Sequence, residues 1–143
     1  MQEIAAEEPL ASDELAEYAL SGRAWIAVNE DGDAVGYVLV RRVDQNAHIV
    51  RLSVVPEMQG RGVGRSLIDR VERWGEEHRF RSISLTTFSH VQWNQPLYEH
   101  LGFSVLVEDE IGPELGEIRR HEASMGLDPV LRVAMGRPIP DRP

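Results

Sequence analysis

The sequence predicts an α/β (α+β) fold: one mixed, mostly antiparallel central sheet flanked by helices. Three observations predict it. The strand-like runs "AWIAV", "AVGYVLVRRV" and "AHIVRLSVV" follow one another with only "NEDGD" and "DQN" between them. Connections that short make antiparallel neighbours, because a parallel crossover needs a dozen or more residues. From Gly60 onward helical and extended runs alternate, an order that packs helices on a sheet. The chain has 143 residues, of which 42% are hydrophobic and 27% charged, which fits a single domain able to bury its own core.

Each element has a local reason. "SDELAEYAL" is a helix that Ser12 can cap, with Asp13 and Glu14 in its first turn and Gly22 beyond its end. The three strands follow, the last ended by Pro56. In "RSLIDRVERWGEEH", Leu67, Ile68, Val71 and Trp74 share one helical face. "SISLTTF" is a strand. "NQPLYEHLGF" is a short helix with Asn94 as cap, Pro96 in its first turn and Gly102 after it. "SVLVEDE" is expected as a strand, "PELGEIRRHEASMG" as a helix and "VLRVAMG" as the final strand. Trp25 and Trp74 are expected in the core. Residues 1–11 and 138–143 are expected to be poorly ordered flanks of one domain spanning 1–143.

Composition excludes several chemistries. There are no cysteines, hence no thiol catalysis, disulfide framework or thiolate metal site. That fits a reducing, cytoplasmic compartment. No apolar run approaches a membrane span, and the acidic N-terminus does not look like a signal peptide. The net charge of −9 argues against nucleic acid as a partner and favours a cationic substrate. All basic residues are arginines, which excludes a lysine Schiff base and the lysine-terminated phosphate loop.

The stretch "VVPEMQGRGVGRSLI" places Gly60, Gly62 and Gly64 between a strand and a helix. A dinucleotide fingerprint requires Gly-x-Gly-x-x-Gly, but counting from Gly60 or Gly62 its third glycine falls on Arg65 or Leu67. What remains is a run whose successive backbone N–H groups can converge on an anion at a helix N-terminus. The alternative is a glycine-rich turn with no ligand.

Gln59-Gly60-Arg61-Gly62-Val63-Gly64 after "SVVP", followed by "SISLTTF" and "WNQPLYEHLGF", resembles the motifs of the GNAT superfamily of N-acetyltransferases. The resemblance runs from about Ala24 to Phe103. It implies a sheet whose central strands splay to form an acetyl-coenzyme A cleft, with coenzyme contacts from Ser53, Val54, Gln59, Gly60, Arg61, Gly62, Val63, Gly64, Arg65, Ser66, Asn94 and Tyr98. It also implies that the strand near Leu52–Val54 parts from "SISLTTF" to admit the pantetheine arm. A backbone N–H near Val54 would polarise the thioester carbonyl. An amine bound on the other side would attack directly, and Tyr98 would protonate the leaving thiolate. The cosubstrate is then acetyl-coenzyme A, with no metal, and the acceptor a primary amine of a small molecule or peptide.

Two features depart from the pattern. Many relatives place a carboxylate on the third strand, whereas "AHIVRLSVV" offers only His48. His90, just past the "SISLTTF" strand, is the candidate base or acceptor-binding group, and His48 is expected to be a packing or surface residue. The family's usual first strand and helix also have no counterpart before Ser12. Either the true start lies upstream or the sheet lacks an edge strand, and a bare edge favours a homodimer. The competing reading is a non-catalytic acyl-coenzyme A-binding sensor or partner module.

Overall fold

The computed structural model describes residues 12–88, 98–125 and 132–140. In chain order these form α1 (Ser12–Leu20), β1 (Ala24–Val28), β2 (Ala34–Val43), β3 (Asn46–Val54), a 3-10 turn (Pro56–Met58), α2 (Val63–Glu77) and β4 (Ser82–Phe88). The helical residues 98–100 (α3), β5 (Ser104–Val105), a second 3-10 turn (Glu108–Glu110), α4 (Pro113–Ser124) and β6 (Arg132–Pro138) follow. The described strands make one sheet in the order β1-β2-β3-β4-β6-β5. Only β3 and β4 are parallel, and α2 supplies the crossover that such a pair requires. The mixed, mostly antiparallel sheet agrees with the sequence-based expectation.

The two hairpins are closed by local chemistry. Asn29 Oδ1 accepts the N–H groups of Asp31 and Asp33 at 3.0 and 2.9 Å. Between β2 and β3, Asp44 and Gln45 both take positive φ, 52° and 66°. Two such residues give the turn whose twist matches that of the flanking strands.

The helix α2 covers one face of the sheet with Leu67, Ile68, Val71 and Trp74 buried, as its periodicity predicts. Its first turn lies close to β2: a Cβ on Gly36 would sit 2.8 Å from the Ser53 carbonyl oxygen and 3.1 Å from Val63 Cγ1. Within β3, Ala47, Ile49 and Leu52 join this core and Val54 is buried at the cavity, though Leu52 and Val54 are one residue out of step with Ala47 and Ile49. The cause is a bulge, since Val40 pairs with Ile49 while Leu39 pairs with Arg51, leaving Val50 as the extra residue. An inserted residue restores the alternation after a kink.

Three expectations need correction. "SVLVEDE" is extended only over Ser104–Val105, and Glu108–Glu110 form a 3-10 turn. Leu106 and Ile111 turn toward a second apolar cluster with Val43, Leu115, Ala134 and Ile118, and the Glu110 carboxylate accepts the Val107 N–H at 3.0 Å. The tail expected to be poorly ordered from residue 138 continues β6 through Pro138 and buries Ile139 to 8% exposure. Trp74 is a core residue, but Trp25 is only partly buried, edge-on to it at 6.1 Å.

Candidate active site

β3 and β4 pair only at Ala47–Ile83 and His48–Ser84. Beyond those residues the strands part, and Leu52 and Val54 of β3 line a cavity of about 350 Å³. Its other walls are Met58, Gln59, Gly60, Gly62, Gly64, Arg65, His100 and Leu101. The glycine turn is folded back on the end of β3 because Gln59 Nε2 donates to the Val54 carbonyl at 3.2 Å. Gly60 and Gly62 have φ of 79° and 86°, which side chains with a Cβ adopt only at a cost. Gly62 is the N-cap of α2 and provides no side-chain cap. Ser66 N donates to the Gly62 carbonyl at 3.0 Å, and the helical N–H groups before it have no intrahelical acceptor. One end of the cavity is therefore a cluster of backbone donors at a positive helix end, and the rest is mainly apolar.

The sequence-predicted residues fall as follows. Val54, Gln59, Gly60, Gly62, Gly64 and Arg65 line the cavity. Ser53 is half-buried on β3, Val63 is the half-buried first residue of α2, and Arg61 and Ser66 are exposed beside the turn. Tyr98 is buried to 3% exposure with its ring edge-on to Phe103 at 5.6 Å. Asn94 and His90 lie outside the described residues. Sequence reading missed His100 and Leu101, which line the cavity about two turns past the expected cap.

A second cavity, of about 500 Å³, lies on the α4 side of the same parted strands. Its walls are Arg41 of β2, His48, Ile49 and Val50 of β3, Thr86 of β4, and Glu114, Glu117, Ile118, His121 and Glu122 of α4. The α4 residues recur at three- and four-residue spacing, one helical face. That signal was present in "PELGEIRRHEAS" but was not read as a site. Deeper in, Arg132 is only 2% exposed in its side chain and pairs with Glu122 at 3.0 Å. It also donates to Thr86 Oγ1 at 2.9 Å, while Thr86 Oγ1 donates to Glu122 at 2.7 Å.

His48 is a packing residue as expected, 4% exposed, with Nδ1 2.9 Å from Ser84 Oγ. Burial, and secondly the Arg41 charge, lower its pKa from 6.5 to about 4, against a smaller opposing effect of Asp44. Between those two values the unfolded chain binds more protons than the folded one. His48 therefore contributes stability that is complete above pH 6.5 and is lost as pH falls toward 4, about 3 kcal/mol in all. Urea unfolding at pH 7 and pH 4.5 should show this loss, and His48→Asn should shrink it. An equal acid loss in parent and variant would place its origin elsewhere.

A family model described as the acetyltransferase (GNAT) family matches residues 2–103. N-acetylaspartate synthetase of Rattus norvegicus is 33% identical over 81 residues, 55% of this chain and 27% of the relative. The chain thus spans about a quarter of the length of that curated relative. Among solved structures, nourseothricin acetyltransferase superposes with a TM-score of 0.62 at 23% identity, covering 82% of this chain and 65% of that one. N-acetylglutamate synthase from Neisseria gonorrhoeae, complexed with coenzyme A and N-acetyl-glutamate, gives 0.73 at 16% identity, covering 92% and 28%. At those identities the structures show a shared fold. The family match itself takes in the glycine turn, the parting strands and α3, and the chain belongs to the acetyltransferase (GNAT) family.

Proposed function

We propose that this chain transfers the acetyl group of acetyl-coenzyme A to a primary amine by direct attack. The observation that carries this reading is the cavity beside the end of β3, past the point where β3 and β4 cease to pair, closed at one end by the uncapped N-terminus of α2. Those N–H groups and Arg65 suit a pyrophosphate. The apolar stretch past Leu52, Val54 and Leu101 suits a pantetheine arm, with a Val54 N–H as donor to the thioester oxygen. The α4-side cavity is the place for the acceptor, and Tyr98 is the proton donor to the leaving thiolate. The coenzyme seen in the N-acetylglutamate synthase complex supports the ligand class. A non-catalytic acyl-coenzyme A-binding module is the second reading, favoured by the absence of any carboxylate in β3. A homodimer is also proposed, on the exposed Ile26 and Val28 of β1, the edge strand among the described residues, and so is a cytoplasmic location.

Acetyl-coenzyme A should raise the melting temperature, since a ligand at a hundred times its dissociation constant adds about 2.7 kcal/mol to stability. Gly62→Val should abolish that rise, because a β-branched side chain opposes the φ of 86° that aims the cradle. The readout is the ligand-induced difference, which separates binding from any strain in the free variant. A variant that is stabilised as well as the parent would place the coenzyme elsewhere, and thiol release with an amine panel then separates transfer from binding alone.

A further inference from the structure

Arg137 lies in β6, in register with the buried Ile83 of β4, and its guanidinium leaves the sheet to reach two helical segments. Nη2 donates to Glu72 Oε1 of α2 at 2.8 Å. Nη1 donates to the Leu101 carbonyl, just past α3, at 3.2 Å. The side chains of Arg137 and Glu72 are each 18% exposed, so the pair is better shielded from water than a surface ion pair. Asp69, one turn before Glu72 on α2, stands 4.0 Å from Nη2 as a second, more exposed acid. The arginine stem runs along Gly102, where a Cβ would sit 3.4 Å from Arg137 Cδ.

Both ends of this bridge bear on the cavity beside the glycine turn. Leu101 lines that cavity. Its N–H donates to the Tyr98 carbonyl at 3.0 Å, and the Phe103 N–H donates to the same oxygen at 2.9 Å. Holding the Leu101 carbonyl therefore holds the short segment that carries Tyr98. Glu72 belongs to the helix whose first turn closes the cavity, about 14 Å from that turn along the same rod. A planar guanidinium presents its donors in a fixed fork, so its acceptors on α2 and past α3 are kept at a set separation.

We propose that Arg137 is a positioning residue for acetyl transfer: it sets the Tyr98 segment against α2 and thereby places the Tyr98 hydroxyl relative to a thioester bound along the cavity. The proposal rests on the acetyl-transfer reading and adds to it a residue that lines neither cavity. Its influence runs through geometry, and a misplacement of about 1 Å caused far from the chemistry can cost up to about a hundredfold in rate. Coenzyme binding depends on it much less. The backbone donors of the glycine turn are fixed by Gln59 and by the positive φ of Gly60 and Gly62, at the end of α2 remote from Glu72.

The test is Arg137→Lys in the full chain, with acetyl-coenzyme A and the amine that the parent acetylates fastest among amino acids and polyamines. Lysine keeps a charge beside Glu72, and with it the fold, but as a point charge it does not span both acceptors. The kcat should fall about tenfold or more, while KM for acetyl-coenzyme A, the affinity for coenzyme A and the urea midpoint stay near the parent's. In a Tyr98→Phe background the same substitution should cost no further rate, because residues that act through one another are not additive. A parental kcat in Arg137→Lys would overturn the proposal. So would a coenzyme affinity that falls as far as kcat, or an equal loss of rate in both backgrounds, which marks a purely structural role. Tyr98→Phe at the parental rate would overturn the proton-donor reading and the proposal with it. A parent that binds coenzyme A but acetylates no amine of the panel would overturn acetyl transfer itself, and the proposal with it.

Discussion

Tyr98→Phe is expected to lower turnover about a hundredfold while leaving acetyl-coenzyme A affinity unchanged, the usual worth of a positioned proton donor. That loss corresponds to about 2.7 kcal/mol of barrier. The substitution suits the question because the ring has a structural job of its own. It is 3% exposed and stands edge-on to Phe103. The Tyr98 carbonyl also accepts the N–H groups of Leu101 and Phe103 at 3.0 and 2.9 Å, closing the end of α3. Phenylalanine keeps the ring and the backbone and removes one oxygen. A purely structural Tyr98 predicts a small change in stability and a near-parental rate. A proton donor predicts a loss that shrinks with acyl donors whose leaving groups are more acidic than a thiol of pKa ~8.5. Single-turnover kinetics on the parent's acceptor would decide it. A parental rate, with chemistry limiting, leaves Tyr98 as packing alone.

The glycine turn was legible because its spacing excludes the common cradles one by one, and because no lysine is available for the others. The hairpins and the buried face of α2 were equally legible, since each rests on residues within one turn or one helix. What escaped depends on partners distant in sequence. The bulge at Val50 changes which face Leu52 and Val54 occupy, but it exists only relative to Leu39 and Val40 of β2. The run "SVLVEDE" has the composition of a strand, yet Leu106 and Ile111 leave the sheet for the apolar side of α4. Ile139 looked like tail because two prolines flank it, and it is buried because α2 and Ala47 provide a place for it. No local pattern announced that Arg132, inside the final strand, would be among the most deeply buried charges.

That arginine bears on how the second cavity keeps its shape. Few apolar contacts anchor α4: only Leu115 of this helix is buried. Its N-terminus is instead held by Asp44, whose carboxylate accepts the N–H groups of Glu114 and Leu115 at 2.8 Å each, while Glu114 accepts the Asp44 N–H at 2.8 Å. Asp44 performs the capping that Gly112, the residue before α4, cannot supply from a side chain. Near the other end of α4 the tie is Glu122 to Arg132 and Thr86. This wall of the second cavity is thus held by polar contacts near both ends of the helix, with Arg119 Nη1 also donating to the Arg132 carbonyl at 3.2 Å.

Glu122→Ala is therefore expected to destabilise the fold by about 3 kcal/mol, at the low end for breaking a buried ion pair. The Arg132 side chain is 2% exposed and the Glu122 side chain 13%. Removing the carboxylate takes the Glu122 partner from a buried guanidinium that keeps its bonds to the Thr86 oxygens. The cost is that of a buried charge losing one of its partners, so removing both charges should cost less than removing one. Glu122→Leu combined with Arg132→Met should recover most of the stability, because apolar replacement of a whole buried pair is often neutral or better. Urea midpoints of the parent, the single variant and the double variant give the comparison directly. A single variant within about 0.5 kcal/mol of the parent, or a double variant as unstable as the single, would show that the pair does not anchor α4. The same loss should be felt unevenly by the two cavities. The cavity proposed for the coenzyme is built from β3, the glycine turn and residues 100–101 and shares no wall with α4, so on that proposal Glu122→Ala should weaken amine binding well before it weakens binding of acetyl-coenzyme A.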